Sequence, residues 1–245
     1  MVDPATGCFT SCQLWFCARY GVSRTADRNL IRVPRRRFCG NSGAERLSRL
    51  DLTRLMTPEL SLANRTALPD ALLVLLRDYP RDSWQSDPGF NDLIAFWLDR
   101  HLMFRRLMAE MRKGTENLLD RQMEGDRFAA MVSRYGGMFV QQLHGHHTIE
   151  DQHYFPMLAK KDERIEKGFA ILDKDHHDMD EYLAAFVTQA NEVIGLRDDR
   201  TKLQDAAGGF QTRLENLERL LDRHLIDEEE LIVPVILRYG ADDLG

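Results

Sequence analysis

Three observations predict an all-α protein built as an up-down-up-down four-helix bundle. Strand-like alternation is scarce in the 245 residues, proline occurs only 8 times, and apolar residues recur at three- and four-residue steps over four long stretches. No run approaches the roughly 18 apolar residues that a membrane-spanning helix needs, so the chain reads as soluble and cytoplasmic.

The first long helix is expected from about residue 89 into the 110s. Asp87-Pro88 offers an N-cap followed by proline at the first helical position. Its inward stripe is Ile94, Trp97, Leu98, His101, Phe104 and Met108. Ahead of it, residues 69–78 form a short amphipathic stretch whose Leu72, Leu73, Leu75 and Leu76 cover one end of the bundle.

A second helix is expected over about 127–159, with Phe139, Leu143, His146, Glu150, Tyr154 and Met157 on one face. Gly136, Gly137 and Gly145 weaken it by about 1 kcal/mol each relative to alanine unless close packing accounts for them. The third covers about 163–194, with Ile171 or Leu172, His176, Met179, Leu183 and Phe186 inward. The fourth, about 199–238, aligns Leu217, Leu221, His224, Glu228, Leu231 and Val235. The methionines Met103, Met108, Met111, Met131 and Met138 read as adaptable core filling rather than a copper site.

Charge divides the chain. Residues 1–55 hold ten arginines, four acids and all 4 cysteines, about +6, which leaves about −12 for the rest. This opening has no convincing amphipathic leader helix and no recognisable zinc spacing among Cys8, Cys12, Cys17 and Cys39. It is expected to be a disordered extension or upstream sequence ahead of Met56. Residues 56–88 then form a lead-in segment, and 89–240 form the bundle. The acidic bundle offers no basic face for nucleic acid.

The 8 histidines fall in four short segments, and two segments repeat one pattern. His146 precedes Glu150 by four residues with Pro156 six further on; His224, Glu228 and Pro234 repeat that spacing. Four residues turn a helix by about 400°, which stacks each imidazole over its carboxylate on one face. Pro156 and Pro234 each lack an N–H and are expected to kink or end their helices one turn beyond the carboxylate.

His101 and His176 lie on two other helical faces, His176 in preference to His177 because Met179 and Leu183 continue its stripe. Four helices therefore each send an imidazole inward. Within Glu228-Glu229-Glu230 one acid is expected to face inward and two to be solvated, and His144 and His153 to be solvated or to flank the site. Tyr154 and Tyr182 fit either core packing or hydrogen bonding near a bound ligand.

Imidazoles suit borderline transition metals, and a carboxylate between two cations gives one oxygen to each. Four imidazoles and two carboxylates with no cysteine nearby favour a dinuclear iron site over manganese or zinc. If Glu150 and Glu228 bridge, together with one oxide or hydroxide, about ten of roughly twelve octahedral positions are filled. A fifth imidazole would leave one vacancy for a small ligand.

The segments LHGHHTIEDQHYFP, DHHDMDEYL and HLIDEEELIVP, with the histidine in FWLDRHLMF, resemble the hemerythrin-like, HHE cation-binding, domain family. By matching position the resemblance implies ligands His101, His146, Glu150, His176, His224 and Glu228. It also implies two iron ions per chain with bridging carboxylates and a site for O2 or a related molecule such as NO. The oxygen carriers of the family place a second histidine four residues after the third-helix ligand, where this chain has Asp180. His147 is the preferred substitute, ahead of His177, His144 and Asp180, because some family members use the residue just after the first ligand of the second helix. Three functions are compatible: a binder or sensor of O2 or NO without strong catalysis, an iron-donating or nitrosative-stress repair protein, and a di-iron peroxidase or oxygenase with an unidentified redox partner.

Overall fold

The computed structural model describes residues 30–34, 58–242 and 244. Among them there are six α-helices and no strand. These are α1 (Val74–Asp78), α2 (Asp92–Leu119), α3 (Gly125–Ile149), α4 (Phe155–Leu158), α5 (Glu166–Gly195) and α6 (Arg200–Tyr239). A π turn, Glu150–Tyr154, joins α3 to α4, and short 3-10 turns at Pro58–Leu60 and Arg81–Ser86 flank α1. No described helix is long and apolar enough to cross a membrane.

The four long helices pack in a ring, α2 on α3, α3 on α5, α5 on α6 and α6 on α2. Two apolar clusters fill it. One gathers Phe104, Met108, Phe139, Leu143, Met179, Leu183, Phe186, Leu217 and Leu221. The other gathers Ile94, Trp97, Tyr154, Phe155, Leu172, Leu231 and Val235. Burying each large side chain contributes roughly 1.5–3 kcal/mol, so the clusters clamp whatever layer lies between them. On every long helix that layer holds the histidines: Ile94 and Trp97 precede His101 and Phe104 follows it, while on α6 Leu221 precedes His224 and Leu231 follows Glu228.

Several local outcomes differ from expectation. Helix α2 begins at Asp92, where the Asn91 side chain accepts from the N–H groups of Leu93 and Ile94, both at 3.1 Å. Asp87 instead closes a turn by accepting from the Gly89 N–H at 2.8 Å. The Gly89 Cα faces the Leu237 carbonyl, so closely that an added Cβ would stand 3.0 Å from that oxygen. Helix α6 is capped by Asp199, whose side chain accepts from the Lys202 N–H, and runs through Pro234 to Tyr239, so this proline does not end it. At the equivalent Pro156 the chain has just passed through the π turn, in which the Phe155 N–H reaches back to the Glu150 carbonyl. Met138 is exposed, unlike Met108 and Met111 in the core.

The opening segment departs from expectation where it is described. Residues 30–34 lie against the bundle, and Ile31 is 5% exposed within the first apolar cluster. The Asn191 carboxamide accepts from the Ile31 N–H at 2.8 Å and donates to the Ile31 carbonyl at 2.9 Å. Gly136 makes the space: a Cβ there would come within 2.6 Å of Ile31 Cδ1. The rest of 1–55, including its cysteines, and the expected start at Met56 lie outside the described residues.

Candidate metal centre

Five elements deliver seven side chains to the layer between the clusters. Helix α2 brings His101, α3 brings His146 and His147, the π turn brings Glu150, α5 brings His176, and α6 brings His224 and Glu228. Six are buried to 0% exposure and His146 to 8%. Their ligating atoms form two groups, His101–His146–Glu150–Glu228 and His147–His176–His224, with the atoms of each group within 4.8 Å of one another.

The two carboxylates face both groups. Glu150 Oε1 lies 3.0 Å from His146 Nε2, and Glu228 Oε1 lies 3.3 Å from His101 Nε2 and 3.8 Å from His146 Nε2. On the other side, Glu150 Oε2 is 3.6 Å from His176 Nε2 and Glu228 Oε2 is 3.4 Å from His224 Nε2. Within each group two imidazole nitrogens converge: His101 and His146 at 3.1 Å, His176 and His224 at 3.1 Å. Nitrogens held about 2.1 Å from a shared cation at right angles lie about 3 Å apart, so both pairs have the separation of neighbouring ligands.

Polar atoms left without partners point the same way. Both ring nitrogens of His147, both oxygens of Glu150 and Oε2 of Glu228 are buried with no hydrogen bond. An orphaned buried polar group costs about 1–3 kcal/mol, and a cation in each group would give partners to the Glu150 and Glu228 oxygens and to one ring nitrogen of His147. The donor set of imidazole and carboxylate fits iron.

Ionisation follows burial. Burial, with neighbouring imidazoles adding to it, pushes His146 and His147 well below the ordinary histidine range, which leaves them neutral and able to ligate. His101 is lowered by burial against the opposing pull of Glu228. Glu150 is raised well above the carboxylate range by burial and by the charge of Glu228. For Glu228, burial opposes ionisation, but His101, His224 and His146 outweigh it and hold the group well below that range. His224 is also opposed by burial, yet Asp175 and Glu228 raise it to about 9.

In three of these histidines the second ring nitrogen is held by an acid. His101 Nδ1 meets Glu229 Oε1 at 2.9 Å, His176 Nδ1 meets Asp151 Oδ1 at 2.6 Å, and His224 Nδ1 meets Asp175 Oδ2 at 3.4 Å. Such contacts fix ring orientation and raise ligand basicity. Glu229 is 1% exposed, which corrects its expected solvation; Arg105 donates to it at 2.8 Å and Arg81 forms an ion pair with it. The Trp97 indole N–H donates to Glu228 Oε1. The remaining histidines stay outside: His177 is exposed and bonded to the Asp173 carbonyl at 2.8 Å, His153 is exposed near the Leu244 carbonyl, and His144 is half-buried. Tyr154 packs edge-on to Trp97, and Tyr182 packs against the first cluster.

An HHE layer held between apolar clusters of a helical protein is a cation-binding arrangement. The chain belongs to the hemerythrin HHE cation-binding domain family, whose pattern matches residues 92–236. No curated protein and no solved structure matches the chain.

Proposed function

We propose that this protein binds two iron ions per chain in an up-down-up-down four-helix bundle and uses them to bind or sense O2 or a related small ligand such as NO. His147, His176 and His224 would hold one iron and His101 and His146 the other, with Glu150 and Glu228 placed to be shared between the two. The observation that carries this reading is the split of each carboxylate, with the Oε1 atoms toward His101 and His146 and the Oε2 atoms toward His176 and His224. The bundle topology is supported by the order in which successive helices cross the two apolar clusters, which reverses from each helix to the next.

Iron held this way supplies a reducible centre to which a diatomic ligand can attach. The protein's own contribution is asymmetry and dryness. The His101–His146 side has one imidazole fewer, and His146 is the least buried of the seven side chains. Its surroundings are apolar and aromatic, with Trp97 6.0 Å and Phe104 5.3 Å from His146, centroid to centroid. A small uncharged ligand suits such a wall, whereas a polar substrate would lose its hydration there.

The test is an optical titration of the reduced, iron-loaded protein with O2 and with NO, alongside metal analysis. A spectral change that reverses on removal of the gas, at about two irons per chain, is expected. Loss of iron on exposure would favour donation or nitrosative-stress repair, and turnover of peroxide would favour an enzyme; either replaces the binding role.

A further inference from the structure

We propose that residues 58–86, which precede the family's matched region, form a strap whose Arg65 and Arg81 position the metal centre through the acids that hold its histidines. This rests on His101, His224 and Glu228 being metal ligands.

Arg65 is 4% exposed, although it comes from a loop. Its guanidinium forms an ion pair with Asp175 Oδ2, donates through Nη1 to Asp175 Oδ1 at 3.2 Å, and donates through Nε to Asp227 Oδ2 at 2.8 Å. Asp175 faces His224 Nδ1, and Asp227 is the residue before Glu228. One planar fork therefore ties together the helix faces that carry a histidine ligand and a bridging carboxylate. Arg81, at the other end of the strap, pairs with Glu229, the acid on His101 Nδ1. The strap thus reaches both metal positions.

Its seating does not rest on those acids alone. Leu62, Leu68, Leu72, Leu75 and Trp84 are buried, and the Trp84 indole N–H donates to the Tyr79 carbonyl at 2.8 Å. Helix α6 holds the backbone from outside: Arg219 donates to the Ala63 carbonyl at 3.3 Å and Arg223 to the Thr66 carbonyl at 2.5 Å, while Arg223 also bonds Asp227. Arg65 and Arg81 touch no ligand directly and act as positioning residues.

The experiment compares the iron-loaded full chain with R65M, R65K, R81M and the ligand variant H224A, reading the iron dissociation constant, the visible spectrum and the thermal stability of the metal-free protein. R65M is expected to weaken iron binding about 10–100-fold and to shift the spectrum, because loss of an outer hydrogen-bond partner has effects of that size. R65K, which keeps the charge without the fork, should fall between R65M and the natural chain. R81M should weaken binding by roughly tenfold, and it carries the test if R65M does not fold, since Arg81 is 46% exposed on its side chain. Unchanged iron affinity and spectrum in R81M and in the folded Arg65 variants, with only thermal stability reduced, would overturn the proposal. If H224A itself binds two irons with the natural spectrum, the ligand assignment fails instead.

Discussion

His147 and His176 lie face to face, their ring centroids 3.9 Å apart and their planes within 9°. His176 Nδ1 is bonded to Asp151, while neither ring nitrogen of His147 has a partner. His147 is therefore the imidazole whose burial is most poorly compensated without a cation, which is why it is proposed as the fifth histidine in place of Asp180. H147A is expected to change the visible spectrum of the iron-loaded protein and weaken binding of one iron, whereas H153A, which removes an exposed ring, leaves both as they are. The opposite order of effects would remove His147 from the centre.

Glu150 poses a conflict between stability and function. Both of its oxygens are buried without hydrogen bonds, and the charge of Glu228 raises its proton affinity further. E150M fills the same volume without a polar group. Metal-free E150M should be more stable than the metal-free natural chain by about 1–3 kcal/mol, and its iron content should collapse. Urea unfolding of the two stripped proteins checks the first part and metal analysis the second; a less stable E150M would mean that Glu150 has protein partners worth keeping.

The convergence of these histidines and carboxylates was legible in the sequence because its pattern is local. A four-residue step on a helix fixes His146 against Glu150 and His224 against Glu228 whatever else the chain does. The acids and arginines around them were not, because their partners are remote: Arg65 is 110 residues from Asp175 and 162 from Asp227. Glu229 reads as one of three solvated acids until Arg81 and Arg105 are seen to cover it. Pro156 and Pro234 occupy equivalent places yet differ in outcome, since only the first follows a π turn. The spacing of the residues alone does not encode such a turn.

Asp162, in the turn between α4 and α5, gives a pH dependence away from the metal. The Arg164 guanidinium, bonded to it through Nε at 2.9 Å, and the Tyr239 hydroxyl at 3.0 Å hold its carboxyl well below the usual carboxylate range. A carboxyl depressed by folding stabilises the native state above its unfolded value, near 3.8, and that contribution is lost as pH falls further. Because Arg164 is largely exposed, the effect is about 1 kcal/mol or less. D162N should therefore lower stability at neutral pH and flatten its decline in acid; identical acid unfolding curves for the two metal-free proteins would refute the link.

Ile31 provides a test of whether the chain ahead of the strap belongs to the folded unit. Its side chain sits where Gly136 has none, with Phe186 beneath, and Asn191 bonds both of its backbone groups. A methyl at Gly136 would stand 2.6 Å from Ile31 Cδ1 and 3.3 Å from Phe186 Cζ. The Ile31 atom is the end of a side chain that can leave, whereas the Phe186 ring is packed in the core. G136A is thus expected to expel Ile31 while the bundle survives, and N191A to loosen the same contact by removing two hydrogen bonds worth about 1 kcal/mol each. Amide hydrogen exchange at residues 30–34 should accelerate in both variants, with exchange at Phe139 and Leu183 little changed. Equal exchange in the natural chain and both variants would show that this segment is not docked in solution, and would leave Gly136 without the packing that offsets its cost in the middle of α3.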